Sequence, residues 1–351
     1  MKYTAEFTGG YDDIVYALHE NDPYPVDTME LSQPNVLNVM AYNIYCLTPP
    51  VSFTDQDERC RHIVDVTEGY DVVLIQEAFD NDSRDNELIP NMSVEFPYYT
   101  DILDTSNALE DGGIMIFSRW PIEVERKYFW QNCESQDCLA NKGIMYARIN
   151  KLGVPYHLMS THMQAFTSTP EVLARLEQLR EARDFISSMN IPSNEPVIYG
   201  GDLNVDELVN NMGEYDSLFT ILNTYEPTYL GYPYTYDPSI NYYGSGPVEY
   251  LDYVLSINGY ATPLSIDNNC MVERSIHDDM WGMFDLSDHH AIGARIEYPT
   301  DVGQPELSAS RLFLYPNPTN GQIFFEKQVD QVSIFDITGK LCLTENYVTQ
   351  L

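Results

Sequence analysis

The chain has 351 residues, 44% of them hydrophobic, enough for one large domain with appendages or for two domains around a real core. Its 18 Lys+Arg stand against 54 Asp+Glu, a formal net charge of -36. Such a surface repels nucleic-acid phosphates and attracts divalent cations, so nonspecific DNA or RNA binding is disfavoured. No run of about 18 apolar residues marks a membrane span, and the start of the chain lacks the basic and apolar stretches of a signal peptide. The expectation is therefore either a cytosolic protein or a numbering that begins after processing.

In chain order, residues 1–34 are acidic and aromatic and are broken by Pro23, Pro25 and Pro34; they read as a loosely packed extension. Val36–Asn43 is a strand-like run ending on Asn43. A helix is expected over Asp57–Glu68, followed by the apolar run Asp71–Glu77, which suits a strand covered on both faces and ends on Glu77. Gly113–Ser118 follows Asp111, and Tyr156–His162 ends on His162. Cys133 and Cys138 lie in a polar stretch where a small disulfide loop and two free thiols are both compatible with the spacing; the six cysteines form no Cys-x-x-Cys metal pattern.

The clearest helix is Pro170–Met189, with Thr169 as the expected N-cap, Pro at the first position and Glu171 in the first turn. Val172, Leu176, Leu179, Arg183 and Ile186 form its expected core stripe. It leads into Pro196-Val197-Ile198-Tyr199-Gly200-Gly201-Asp202-Leu203-Asn204, an apolar strand that stops at two glycines and presents Asp-x-Asn. If the chain stays extended, alternation places Asp202 and Asn204 on one face about 7 Å apart, where they suit a hard metal ion or a phosphate. An Asx turn is the competing reading. Further on, Leu251–Leu255 carries Asp252 near its start, and Asp288-His289-His290 precedes the closing strand Ala291–Tyr298. Residues 299–310 read as a linker. Residues 311–351, with the alternating run Val332–Leu343, read as a small β module.

The polar strand ends Asn43, Glu77, His162, Asp202, Asn204, Asp252, Asp288 and His289 form a set that resembles the endonuclease/exonuclease/phosphatase superfamily. Closer matches lie in Glu110-Asp111-Gly112-Gly113, Asn141-Lys142-Gly143, Ser160-Thr161-His162-Met163-Gln164-Ala165, Gly200–Asn204 and Glu249-Tyr250-Leu251-Asp252-Tyr253. In that order, across residues 35–298, they resemble bacterial sphingomyelinase C of the hemolysin/β-toxin group. The resemblance implies a four-layer α/β sandwich like that of DNase I, two β-sheets flanked by helices, and a likeness to Mg²⁺-dependent hydrolysis of sphingomyelin to ceramide and phosphocholine. Mn²⁺ or Co²⁺ are implied as substitutes, and Ca²⁺ as an ion that binds without supporting catalysis. Tyr315-Pro316-Asn317-Pro318 resembles part of a type IX secretion sorting domain, which implies a secreted or cell-surface protein, an expectation that suits disulfides.

Residue by residue, the resemblance implies that Glu77, with Asn43 beside it and Asp288 near, holds Mg²⁺. His289 is the expected general base and Asp252 the group that fixes its tautomer. His162 and Asn204 are expected to donate to phosphate oxygens, with protonation of the leaving group as a second role for His162. Asp202 orients the water or a second metal, and Asp111 orients His162. His290 reads as structural. Tyrosines of residues 225–253 offer faces for a choline cation, and Met280, Trp281 and Phe284 are expected to touch the lipid surface. A monomer is expected, with no nucleic-acid partner. The rival readings are another phosphodiesterase or phosphatase of this fold, such as a nuclease or an inositol-phosphate phosphatase, and a binding protein that has lost catalysis.

Overall fold

The computed structural model describes residues 31–49, 51–105, 110–303, 314–315, 324–335 and 340–350. The extension over residues 1–30 and the Pro316-Asn317-Pro318 motif lie outside them. The chain divides into two compact units, Met1–Gln304 and Pro305–Leu351.

The strands of the first unit are β1 (Val36–Cys46), β2 (Val72–Ala78), β3 (Tyr98–Tyr99), β4 (Met115–Ser118), β5 (Ile122–Phe129), β6 (Gly143–Lys151), β7 (Val154–His162), β8 (Val197–Asp202), β9 (Thr224–Tyr225), β10 (Thr228–Gly231), β11 (Asp252–Ile257), β12 (Ser265–Met271) and β13 (Ala291–Glu297). One sheet runs β10-β12-β13-β1-β2-β4-β3 and the other β5-β6-β7-β8-β11-β9. Alternation along the central strands explains the layering. Leu37, Val39 and Ala41 of β1, with Val72 and Leu74 of β2, join Leu158, Ile198 and Val254 in the core between the sheets. The intervening Met40, Tyr42, Ile44, Val73 and Ile75 face a second core on the outside. That core is closed by helix α1 (Gln56–His62), which continues as a 3-10 turn, Ile63–Val66, and by an irregular helix α2 over residues 81–92. Helices α3 (Thr169–Ser188) and α4 (Glu214–Leu222) contribute Leu179, Ala182, Ile186, Leu218 and Leu222 to the first core. The result is the expected sandwich of two sheets flanked by helices. Among the described residues no helix is long and apolar enough to cross a membrane.

Two local expectations need correction. Ser168 occupies the N-cap of α3, and Thr169 is already helical. The buried stripe of α3 holds Val172, Leu179 and Ile186 as expected but also the polar Arg175 and Gln178, whereas Arg183 is exposed and pairs with Asp184. Arg175 is buried because Glu214 of α4 accepts from its Nε and Nη2 at 2.5 and 2.9 Å. Gln178 is buried because it bonds Gln164 N and Asn132 O.

The two glycines of β8 are dictated by the closeness of neighbouring backbone. A Cβ on Gly201 (φ 132°) would stand 2.1 Å from Thr161 O and 2.9 Å from Gln76 Nε2, and one on Gly200 would stand 2.8 Å from Tyr253 O. The obstructing oxygens are backbone and cannot swing aside. Gly201→Ala should therefore cost about 3 kcal/mol or more, from overpacking together with an unfavourable φ. Urea unfolding measures it; a loss below about 1 kcal/mol would contradict the tight fit.

The second unit shows a three-stranded antiparallel sheet, β14 (Leu314–Tyr315), β15 (Phe324–Phe335) and β16 (Leu341–Gln350), in that order. The alternating run Val332–Leu343 is thus divided between the end of β15 and the start of β16.

Candidate active site

Strand direction alone gathers the polar residues. β1 and β2 are parallel, so Asn43 and Glu77 emerge at one edge of their sheet. β13 runs antiparallel to β1, which brings the segment before its start, Ser287-Asp288-His289, to that same edge. In the other sheet β7 and β8 are parallel and end side by side, His162 opposite Asp202. β11 is antiparallel to β8 and begins with Asp252 opposite Asp202. The two edges meet: Asn43 Nδ2 donates to Asp202 Oδ2 at 3.0 Å, and Ser287 Oγ donates to Asn43 O at 2.6 Å.

The backbone is bent where the strands finish. Tyr45, Glu77 and Asn204 have φ of 50°, 58° and 53°, a region that non-glycine residues occupy only when their surroundings hold them there. β1 breaks register between Asn43 and Cys46. Arg59 from α1 braces this bend. Its buried guanidinium donates to Ile44 O (2.6 Å), Tyr45 O (2.7 Å) and Leu286 O (3.0 Å), tying the end of β1 to the segment that carries Asp288 and His289. Nothing in the sequence marks Arg59 for this role; an arginine in a mixed-charge helix gives no sign that it points inward.

His289 Nδ1 lies 2.8 Å from Asp252 Oδ2, and its Nε2 lies 3.8 Å from Asp202 Oδ2. Burial opposes its charge, but Asp252, Asp202 and Asp288 around it hold the imidazole well above its ordinary pKa. Across the cluster, His162 is pushed well below the ordinary value by burial, then by Lys142 and His289. Lys142 Nζ stands 3.1 Å from His162 Nε2 and donates to Asp137 Oδ2 at 2.9 Å. Without a cation in the site the two histidines are thus pushed apart, His289 towards its charged form and His162 towards its neutral one. Lys142 belongs to the Asn-Lys-Gly segment that carries part of the family resemblance, but a buried role for it depends on where His162 lies, which sequence does not show.

Glu77 is pushed up to about 7 by burial and then by the charge of Asp288. Asp202 is pushed up to about 6 by burial and then by Asp252. Glu77, His162 and Asp202 offer ligand atoms all within 4.8 Å of one another, as do Asp202, Asp252 and His289. Glu77 Oε2 is buried and has no hydrogen-bond partner among the described residues. A carboxylate oxygen without a donor, among acidic groups that repel one another, fits a hard divalent cation: Glu77 would hold it, with Asn43 and Asp288 beside it and the remaining positions left to water.

Asn204 does not share an extended face with Asp202. Its left-handed backbone closes an Asx turn in which Asn204 N donates to Asp202 Oδ1 at 2.9 Å, and its Nδ2 donates to Met163 O at 3.3 Å. Asp111 does not touch His162; its carboxylate accepts from Arg84 Nη1 and Gly113 N, both at 2.8 Å. Met280 is buried in the outer core, so it offers nothing to a lipid surface. Trp281 is 55% exposed, and its ring stands 5.3 Å from Phe284. His290 is buried against Tyr232 and pushed down to about 3, as suits a structural imidazole. Cys133 and Cys138 are joined in a disulfide.

Many tyrosines of residues 225–253 pack inward, Tyr229, Tyr250 and Tyr253 against one another. Tyr236 instead stands edge-on to His289 at 5.4 Å.

Comparison with known proteins agrees with this architecture. Residues 40–289 match the model of the Endonuclease/Exonuclease/phosphatase family. A sphingomyelinase C of Bacillus cereus is 34% identical over 300 residues, covering 76% of this chain and 90% of that protein. The crystal structure of a Staphylococcus aureus beta toxin mutant with bound magnesium ions superposes with a TM-score of 0.68 at 30% identity, covering 74% of this chain and 98% of that one. The structure of sphingomyelinase C from Streptomyces griseocarneus gives the same TM-score and identity, covering 74% and 99%.

Proposed function

The chain belongs to the endonuclease/exonuclease/phosphatase family and, within it, to the sphingomyelinases C, and from that membership we propose how its site works as a metal-dependent sphingomyelin phosphodiesterase. The observation that carries the reading is His289 fixed by Asp252 at 2.8 Å, within one cluster that also holds Asp202, Asn43 and the partnerless Glu77 oxygen. A divalent cation beside Asp288 would offset the carboxylate charge that keeps the metal-free His289 protonated; His289 Nε2, freed of its proton, takes one from the attacking water while Asp252 holds Nδ1 and stabilises the imidazolium that forms. The water oxygen bonds to phosphorus, the bond from phosphorus to the ceramide oxygen breaks, and that oxygen takes a proton from solvent, to which His289 releases the one it removed; the products are ceramide and phosphocholine. A Mg²⁺ held by Glu77, with Asn43 and Asp288 beside it, would supply positive charge against the phosphate oxygens. Asp202 orients the water side of the site, and Asn204 positions Asp202 through the Asx turn. Lys142 Nζ, which donates to His162 Nε2 at 3.1 Å, is the donor for the phosphate, and His162 acts by holding it in place.

Tyr236, beside His289, is the aromatic face for the choline cation. Trp281 and Phe284 form the lipid-facing pair, consistent with the exposure of Trp281 and the preference of tryptophan for interfaces. Secretion through a C-terminal sorting domain over residues 311–351 is consistent with the Cys133–Cys138 disulfide. The catalytic domain is assigned to residues 35–298, joined by a 299–310 linker, and acts as a monomer.

The test is phosphocholine release from sphingomyelin in mixed micelles, first with Mg²⁺ and then with chelator, beside a plasmid-nicking assay. Release that disappears with chelator, with plasmid intact, is the expected outcome. Nicking without lipid turnover would keep the fold and move the substrate to nucleic acid.

A further inference from the structure

Cys133 and Cys138 are bonded to each other, and the other four cysteines are free. Cys270 Sγ donates to Tyr234 O at 3.2 Å, and Cys342 Sγ to Lys340 O at 3.6 Å. Cys46 and Cys60 instead have each other, their sulfurs 3.2 Å apart. Cys46 ends β1, just beyond Asn43, and Cys60 lies in α1 directly after Arg59. Both are buried, at 0% and 1% exposure, in the outer core with Met40, Tyr42, Ile44 and Ile63.

A thiol is a weak donor and a weak acceptor, so a hydrogen bond between the two contributes little in a core that aliphatic side chains would also fill. Cross-linking them asks little of the fold. The sulfurs of a disulfide stand about 2.0 Å apart, so this pair must approach by roughly 1.2 Å, shared between two side chains. The backbone on both sides is held already. Cys46 O accepts from Phe79 N and Asp80 N, both at 2.9 Å, and Arg59 ties α1 to Ile44 O and Tyr45 O. The two residues thus face each other across a braced joint, only 14 positions apart in the chain.

We propose that Cys46 and Cys60 form a second disulfide, which locks the Asn43 end of β1 to helix α1. The oxidant is a disulfide of the thiol-exchange class, such as oxidised glutathione. The thiolate of one cysteine attacks it and releases one oxidant thiol; the thiolate of the other then attacks the mixed disulfide and releases the second. Two cysteine thiols are oxidised, one disulfide is reduced to two thiols, and the two cysteine protons pass to the departing thiolates. Neither sulfur is reachable in the finished fold, so the bond closes while the chain folds, and the same burial then shields it from reductants. Cys138 is exposed, which leaves the Cys133–Cys138 disulfide without that protection. The cross-link forms whichever phosphodiester the site hydrolyses.

The experiment unfolds the full chain in urea with dithiothreitol and refolds it in a glutathione redox buffer. Free thiols are then blocked with N-ethylmaleimide in urea, and the non-reduced peptides are mapped by mass. Cys46 should be found joined to Cys60 and Cys133 to Cys138, with Cys270 and Cys342 blocked. Dithiothreitol added to the folded protein should open Cys133–Cys138 at least about 100-fold faster than Cys46–Cys60, and urea should bring the two rates within about tenfold of each other. The Tm difference between oxidised and reduced protein should be about 5–10 °C larger in wild type than in Cys60→Ala, which keeps the other disulfide. A packing role alone would lower the Tm of Cys60→Ala equally in both redox states. Mapping of wild type decides the matter even where Cys60→Ala folds poorly. Blocked Cys46 and Cys60 in the refolded, oxidised protein, or an oxidised-minus-reduced difference no larger in wild type than in the variant, would overturn the cross-link.

Discussion

His289→Gln should lower sphingomyelin turnover by at least about 10²-fold, with KM changed by no more than a few-fold, because it removes the base and leaves substrate contacts in place. It should also destabilise the metal-free protein. His289 is the cation among three carboxylates, those of Asp252, Asp202 and Asp288, and the first of these is bonded to it while 1% exposed. Breaking a buried pair of this kind costs about 3–5 kcal/mol, since the remaining charge loses its partner. The expectation is thus a loss of both activity and stability, with Mg²⁺ restoring part of the second but not the first. Asp252→Asn should also reduce turnover, and the double variant should be little worse than His289→Gln alone, because the two act as a unit. Steady-state kinetics with urea unfolding checks this. Activity within tenfold of wild type would remove His289 from the role of base.

Glu77→Gln should lower Mg²⁺-dependent turnover about 10³-fold, the scale of several kcal/mol of lost charge stabilisation, while making the metal-free protein more stable at pH 8. The second effect follows from the direction of the shift. In the folded, metal-free state Glu77 sits at about 7 against an ordinary 4.5, so between those values the folded protein holds a proton that the unfolded chain has released. Stability associated with the neutral carboxyl is fully present below about 4.5 and is lost as pH rises through 7. Glutamine keeps the neutral form at every pH. The gain should be on the order of 2–3 kcal/mol at pH 8 and vanish below about pH 4.5. Mg²⁺ should raise the Tm of wild type near pH 8 and leave that of Glu77→Gln unmoved. A variant that still gains stability from Mg²⁺ would place the principal cation elsewhere.

The strands that carry the site are legible in the sequence because each is apolar on both faces and stops on a polar residue. Val72–Ile75 and Val197–Tyr199 have no other reading once both faces are covered. Parallel pairing of β1 with β2 and of β7 with β8 then brings Asn43, Glu77, His162 and Asp202 together. What alternation cannot foresee is a change of backbone region: Asn204 leaves the extended state at φ 53°, so counting by twos fails there. Arg175 and Gln178 of α3 escape a reading by periodicity because their burial depends on Glu214, Gln164 and Asn132, partners distant in sequence. The placing of Met280 on a membrane face fails for a related reason. An apolar residue between an acidic pair and a tryptophan reads as surface, yet it fills the core beneath α1.

The way the cluster is stitched together has a kinetic corollary. The bond from Ser287 to Asn43 joins residues 244 positions apart, and that from Asn43 to Asp202 joins residues 159 apart. Closing loops of that length is entropically costly and slow compared with forming a hairpin or a helix. The apolar strands can collapse early, but the hydrolytic groups meet only when the segment before β13 docks beside β1, a segment synthesised after all the other elements of the first unit except β13 itself. A nascent or partly folded chain therefore has no assembled phosphodiesterase. For a protein whose substrate is a membrane lipid, late assembly is a safeguard built into chain order.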